Sequence, residues 1–403
     1  MSAIGIDLGT SGVRAALVDD AREPIGQASA AIAAAERRDP AAWWRATEAV
    51  LDQLARHHDL SEVRAIAVDG TSGTVLTVDA DGRPLGPASL YNDRASQAAV
   101  ATVAEHAPAD SAARGATSPL ARLLGMAGGT VLHEADWIAG MLCGRFDVTD
   151  ANNALKTGYD PRTGGWPGWI AATGLDMARL PRVVAPGTPI GTATRLSGAV
   201  VVAGTTDGCA AFLATGADQP GDGVSSLGTT LTLKLLSDTP VFAPEFGIYS
   251  HLMLGNWLPG GASNTGGAAL LRHFDAATIA ALSARIDPAR DSGLDYYPLP
   301  GPGERFPIAD PAMQPRETPR PTDDALFLHG LLEGIARVEA LAYRRLAELG
   351  SPPPRSVRSV GGGSRNAVWT AIRERMLGVP MLPARSEEAA VGTAGLALHG
   401  LAA

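Results

Sequence analysis

The sequence predicts an α/β protein made of two related halves, and three observations carry that reading. A chain of 403 residues is longer than one ordinary hydrophobic core requires and suits two domains. Apolar strand-like runs alternate with stretches of helical spacing, and several of those runs end in a polar turn. Most tellingly, residues 3–18, AIGIDLGTSGVRAALV, read as strand, turn and strand, and residues 224–236, VSSLGTTLTLKLL, repeat the phrase. Leu8-Gly9-Thr10 matches Leu227-Gly228-Thr229, with Ser226 where the first copy has Asp7. The halves are placed at 1–215 and 216–403.

An Asp at the end of a buried strand needs a partner or a ligand, because an unpaired carboxylate is costly to desolvate. In the first hairpin Asp7 leads into Gly9-Thr10-Ser11-Gly12, a turn whose glycines let backbone N–H groups face inward and hold a phosphate. Asp7 can hold a metal through its water shell. An ordinary β-hairpin that happens to contain an Asp is the competing reading, and the second copy of the phrase weighs against it.

A third strand is expected over 24–32 and a helix over 40–58, with Trp43, Trp44, Val50, Leu51 and Leu54 on one face. Residues 63–69, VRAIAVD, again end a strand in Asp, followed by Gly70-Thr71-Ser72-Gly73. TVLTVDADGRPL reads as a strand, a turn and a returning strand, and Tyr91-Asn92-Asp93-Arg94 lies in a polar turn beyond it. Residues 97–107 and 118–127 are expected to be helical. His133 and Glu134 lack HExxH spacing, since position 137 is Trp, so Glu134 reads as a first-turn acid of a helix.

Residues 149–159, TDANNALKTGY, are either a surface loop or a wall of hydrogen-bonding groups that faces a polyol. Val200–Ala203 forms a strand, and Asp207 follows it in the first turn of a small-residue helix. There it is a helix cap or a positioned general base, and the helix N-terminus favours its negative charge. In the second half, Gly260-Gly261 begins a glycine-rich stretch that opens a helix at Ala268, an anion-friendly place. Residues 287–310 read as a surface excursion, 323–350 as a core helix, and Gly361-Gly362-Gly363 as bare backbone on which a flat ring can lie before a helix that holds Trp369. Residues 387–398 form the closing helix.

Net charge is −9 and no Lys/Arg run occurs, which argues against a nucleic-acid surface. Cys143 and Cys209 are the only cysteines, and both sit in apolar company, so no disulfide framework or thiolate metal site is expected. The longest apolar run, around 199–217, is broken by Asp207 and glycines and is too interrupted to span a bilayer. A soluble cytoplasmic protein without a membrane partner, monomer or homodimer, is the expectation. The absence of GxxxxGK[ST] excludes a P-loop enzyme.

Five motifs in order carry a resemblance over essentially the whole chain: Asp7-Leu-Gly-Thr-Ser-Gly, Gly204-Thr-Thr-Asp207, Ser226-Leu-Gly-Thr-Thr, Gly361-Gly-Gly-Ser-Arg-Asn366 and the Glu388-Ala-Ala-Val-Gly-Thr helix. Together the chain resembles the FGGY carbohydrate kinases. That resemblance implies two actin-like, ribonuclease-H-like domains around a catalytic cleft, whose closure excludes water, and ATP-dependent phosphorylation of a sugar's terminal hydroxyl with Mg²⁺. It implies that Asp207 is the general base and that Asp7 organises Mg²⁺ and the phosphates. Thr10, Ser11 and Gly12 would meet the γ-phosphate, flanked by Gly228 and Thr229, with Gly261 on the nucleotide side. Gly362, Gly363, Asn366 and Trp369 would pocket the adenine. Gly70, Ser72, Tyr91, Asn92 and Asn153 would hold the sugar.

Within the family, DGTSGTV, NNALK, GLDYYPLP and GERFPIADP are most similar to the compact D-ribulose kinases of cyanobacteria and plants, the xylulose kinase-like group. D-ribulose is therefore the expected acceptor. Ordinary xylulokinases typically carry Trp and Asp-Gly-Arg where this chain has Tyr91-Asn92-Asp93-Arg94. The alternatives are a kinase for xylulose, ribitol or glycerol, and an actin-like ATPase that binds partners or sugar without transferring phosphate.

Overall fold

A computed structural model describes residues 1–196 and 198–402. The chain forms two compact units, Met1–Gly216 with the C-terminal segment from Glu388, and Ala217–Glu387.

The first unit is built on the sheet that runs Pro24–Ala31, Gly12–Val18, Ser2–Gly9, Val63–Gly70, Val200–Val202, Pro189–Thr192. Ser2–Gly9 is antiparallel to Gly12–Val18 and parallel to Val63–Gly70, and the short strand Thr205–Thr206 also runs parallel to Val63–Gly70. Asp7 therefore stands opposite Asp69, and Thr205 opposite Asp69. The carboxyl ends of parallel strands meet at one sheet edge, which is where open α/β sheets bind ligands.

Both faces of this sheet are covered, which explains the nearly continuous apolar runs in its inner strands. Trp43, Val50, Leu51 and Leu54 of helix Pro40–His57 join Ile4, Ile6, Ile66 and Val68 in one core. Asp39 caps that helix by accepting from the Ala41 N–H at 3.0 Å. The other face carries helix Ala389–Ala402, whose Ala390, Val391 and Ala394 pack on Ala3, Ala65 and Ala67. A Cβ on Gly5 would run into the backbone of Ala390 and Ala394. The small residues of the closing helix thus let it lie directly on the central strand.

Two expectations for this unit fail. Val75–Val78 does not pair with a return strand after the Asp-Ala-Asp-Gly turn; it pairs with Thr130–His133, and the return touches it only at isolated bridges to Pro84 and Ser89. The helix expected over 118–127 is confined to Pro119–Leu123, with Gly125 following it.

The second unit holds the sheet Ser250–Met253, Asn256–Ser263, Leu231–Leu235, Asp222–Leu227, Ser356–Val360, Met381–Leu382. Helix Asp324–Glu348 supplies much of its core through Phe327, Leu328, Leu331, Leu332 and Ile335. Glu339 on this helix makes a bidentate pair with Arg373 at 2.6 and 2.7 Å, both side chains fully buried. Ser225 Oγ donates to Glu339 Oε1 and lies 3.0 Å from the Tyr343 hydroxyl, and Arg373 donates to Ser359 Oγ. Removing one partner would strand the other charge, at a cost of about 3–5 kcal/mol.

The 287–310 segment is a surface excursion only in part: Asp287, Arg290, Asp291 and Asp295 are exposed, and the chain then turns inward. Tyr296, Tyr297, Leu299 and Phe306 are buried, and the buried Glu304 accepts hydrogen bonds from Ser263, Asn264, Tyr297 and Arg305. Prolines and glycines here shape a chain that threads the core, and one buried carboxylate takes up its loose N–H and O–H groups. Gly261 lies within strand Asn256–Ser263, opposite Leu233, and a Cβ there would strike the Phe306 ring. Gly266 and Gly267 open the helix at the end of the glycine-rich stretch, whereas Gly261, expected on the nucleotide side, lies in a strand packed on an aromatic ring.

Candidate active site

In the first unit, a cavity of about 550 Å³ opens where the Asp-bearing strand ends meet. Asp7, Thr10, Ser11, Ser72, Tyr91, Lys156 and Asp207 are among its lining residues. Asp207 is the first residue of helix Asp207–Ala214 and is half-buried, with Oδ1 accepting from the Gly208 N–H at 2.6 Å. Thr206, not Asp207, occupies the cap position. The carboxylate therefore takes up one first-turn N–H of its own helix while it lines the cavity.

Asp7 is buried, and Arg14 meets it at 3.4 Å from a largely exposed position. Desolvation pushes the Asp7 carboxyl above its ordinary range, against the pull of hydrogen bonding to Asp69 and of the Arg14 charge. Asp69 is fully buried, and Thr393 of the closing helix donates to its Oδ2. Desolvation first, and then the neighbouring Asp7 charge, hold Asp69 well above the carboxylate range. Two carboxyls side by side cannot both ionise cheaply, and of the two the fully buried Asp69 is held more strongly toward its neutral form. Among the described residues Asp69 Oδ1 has no hydrogen-bond partner.

Glu134 is a further buried acid. It accepts from the Thr71 N–H, and burial pushes it up to about 8. It sits so close to the preceding turn that a Cβ on Gly70 would come within 2.8 Å of its Cγ. Arg122, also buried, donates to the Gly73 and Leu90 carbonyls and to Ser89 Oγ, and so ties the loop that carries Ser72 to the loop that carries Tyr91. Asp93 is taken up by Arg38 at 2.5 and 2.7 Å and by the Leu90 N–H at 2.9 Å, which makes its turn a brace.

The second unit holds an apolar cavity of about 720 Å³. Its lining includes Gly228, Thr229, Gly362, Gly363, Asn366 and Trp369, together with Leu227, Leu270 and Ile279. A Cβ on Gly363 would come within 2.6 Å of the Trp369 ring and 2.7 Å of Leu227 Cβ. Asn366 caps helix Ala367–Leu377 through the Trp369 N–H at 3.1 Å, and its amide nitrogen donates to Ser283 Oγ at 2.9 Å. An apolar slot floored by glycine backbone suits a flat heterocycle.

The family model for the N-terminal domain of the FGGY family of carbohydrate kinases matches residues 2–119, and that for its C-terminal domain matches 223–401. The chain belongs to the FGGY family of carbohydrate kinases. It is 28% identical to a xylulose kinase of Streptomyces coelicolor over 98% of this chain and 87% of that protein. With a xylulose kinase of Escherichia coli it shares 25% identity over 91% of this chain and 83% of that one. Among solved structures, a xylulose kinase of Rhodospirillum rubrum is similar at a TM-score of 0.83 and 25% identity, covering 99% of this chain and 90% of that one. A glycerol kinase of Plasmodium falciparum bound to ADP shares the fold at a TM-score of 0.81 and 15% identity, over 99% and 89% of the two chains.

Within this FGGY kinase the expected residues divide clearly. Asp7, Thr10, Ser11, Ser72, Tyr91 and Asp207 share the first cavity, and Gly228, Thr229, Gly362, Gly363, Asn366 and Trp369 share the second. Gly12 is explained by the close approach of Ala30, and Gly70 by the packing of Glu134. Asn92 is exposed and lies outside the lining. Asn153 is 1% exposed, and its amide nitrogen goes to Asp150 at 2.6 Å and to the Thr205 carbonyl at 3.2 Å, so the fold consumes it. The amide-rich 149–159 segment is thus neither of the two alternatives: it is buried, and of its residues Lys156 is the one in the lining. Asp69, Glu134 and Arg122 were missed as site residues. Asp69 had a signal in its strand-end position; nothing local marks the other two, because their partners are 63 and 32–49 residues away in sequence.

Proposed function

We propose that the chain transfers the γ-phosphoryl group of ATP to the terminal hydroxyl of a ketopentose, with Asp207 as general base. D-xylulose is the leading acceptor, on the strength of the relatives' names; D-ribulose is the second, on the strength of the Tyr91-Asn92-Asp93-Arg94 departure. The observation that carries the reading is Asp207, half-buried at a helix start and lining a polar cavity with Ser72 and Tyr91.

Asp207 accepts the hydroxyl proton as the oxygen attacks phosphorus, a role worth roughly 10²–10⁴ in rate. The Thr10-Ser11 turn and the Gly228-Thr229 turn offer backbone N–H groups to phosphate oxygens, and positioning with charge cancellation accounts for most of the barrier reduction in such transfers. The apolar slot with Trp369 holds the base of the nucleotide.

Among the described residues no group of three or more His, Cys, Asp or Glu could hold a metal ion by itself. Mg²⁺ is commonly held by one or two carboxylates with waters and substrate phosphates. Asp7, which lines the cavity beside the more deeply buried Asp69, suits that role. Bound there, the ion would neutralise phosphate charge.

The test is ADP release with D-xylulose, D-ribulose, ribitol, glycerol or no acceptor. A ketopentose should accelerate ADP formation many-fold over the acceptor-free rate. Equal rates throughout would favour an ATPase and overturn the proposal.

A further inference from the structure

We infer that Lys156 selects the acceptor: its ammonium donates to a carbonyl oxygen of the sugar, so that a 2-ketose is preferred to the polyol of the same carbon skeleton. This rests on reading the first-unit cavity as the acceptor site.

The chain carries 31 arginines and 2 lysines, Lys156 and Lys234. Lys234 lies in strand Leu231–Leu235 of the second unit. Lys156 is half-buried and lines the cavity with Asp207, Ser72 and Tyr91. Among the described residues its ammonium makes no hydrogen bond or ion pair, whereas Arg14, the other cation of the lining, meets Asp7.

Lys156 is not a frayed surface residue. Asp150 accepts from the N–H groups of Asn152 and Asn153 at 2.8 and 3.1 Å. Asn152 donates to Thr205 Oγ1 at 2.9 Å, and Asn153 to the Thr205 carbonyl, two residues before Asp207. On the other side Thr157 Oγ1 lies 3.0 Å from His133 Nε2. The base of the side chain is therefore fastened to the strand that delivers Asp207, while its tip has no partner. Ser72 Oγ is a second buried group on this lining without one.

The choice of ion matters. A guanidinium would grip a carboxylate through its rigid fork; an ammonium is a compact point charge with three rotatable donors and no acceptor. A carbonyl oxygen only accepts, so it suits such a group. A hydroxyl in its place brings a proton that also needs an acceptor, and sites built on polar complementarity discriminate strongly between such analogues. Asp7 and Asp207 in the same lining disfavour a sugar acid.

The experiment is steady-state kinetics of the full chain, wild type, Lys156→Met and Lys156→Arg, with D-xylulose, D-ribulose and their shared reduction product D-arabinitol. The wild type should favour a ketose over D-arabinitol by about tenfold or more in kcat/KM. Lys156→Met should raise the ketose KM about 10–100-fold and narrow that preference, with the ATP KM and the slow acceptor-free ADP release within about twofold; Lys156→Arg should recover part of the loss. An unchanged ketose KM in a variant that still releases ADP at the basal rate would overturn the inference while leaving the parent reading intact. An ATP KM that rises with the ketose KM would assign the ammonium to phosphate and overturn it too. If the wild type phosphorylates no acceptor, the parent reading falls and takes this one with it.

Discussion

The hairpin of Ser2–Val18 and that of Asp222–Leu235 are the same device with different contents. In each, the first strand is antiparallel to its successor and parallel to a later strand. The parallel pairing sets Asp7 against Asp69 in the first unit and Ser226 against Val360 in the second. One turn consequently borders a cavity with two carboxylates and two cations in its lining; the other borders a slot of Leu, Ile, Trp and bare glycine. On the proposed function the backbone amides of both Leu-Gly-Thr turns serve phosphate, and what stands at the strand end decides whether the turn also carries charge chemistry. The fully buried ion pair of Glu339 with Arg373 in the second unit is instead consumed within the fold.

That contrast predicts separable effects. The largest belongs to Asp207→Asn, which should lower kcat with any accepted sugar by about 10²–10⁴ while the calorimetric affinity for ATP stays unchanged. Next, Asp7→Asn should reduce kcat/KM for ATP by roughly 10–100-fold and raise the Mg²⁺ concentration needed for half-maximal rate, both read from a metal titration. An unchanged metal requirement would show that the two turns are more alike than their charges. Gly363→Val, which pushes a branched side chain toward Trp369 and Leu227, should raise the ATP KM by about tenfold and leave the acceptor KM untouched. A rise in both would break the division of labour between the cavities.

The smallest effect concerns Glu134. Its carboxyl is held at about 8 against an ordinary 4.5, because burial favours the neutral form. That contribution to stability is complete below pH 4.5 and declines as the pH rises through 8. Glu134→Gln keeps an acceptor for the Thr71 N–H and cannot ionise, so its melting temperature should exceed the wild type's by about 2–4 °C at pH 9 and match it at pH 5. An equal difference at both pH values would mean that the charge is not the cause.

Much of this was legible in the sequence because it is local. The repeated hairpin, Asp207 at the start of a helix and the glycines before Trp369 all announce themselves within a dozen residues, and each lines a cavity. What the sequence hid is long-range. Glu304 gathers Ser263 and Asn264 from 41 and 40 residues away, which draws part of an apparent surface excursion into the core. Gly261 and Gly70 look like ligand-facing glycines, yet each makes room for a side chain far along the chain, Phe306 and Glu134. Asn153 looked like a sugar ligand because amides are sticky, but Asp150 and Thr205 had already claimed it. A polar residue type marks a need for partners and not which partners answer it.

The most direct measurement compares wild type and Asp207→Asn for acceptor-dependent ADP formation and for the sugar phosphate produced, with D-xylulose and D-ribulose side by side. The account predicts stoichiometric ADP and pentose 5-phosphate from the wild type, with at least a hundredfold loss in the variant at unaltered ATP affinity. A variant that keeps most of the wild-type turnover, or a wild type that forms ADP without any phosphorylated sugar, would contradict it.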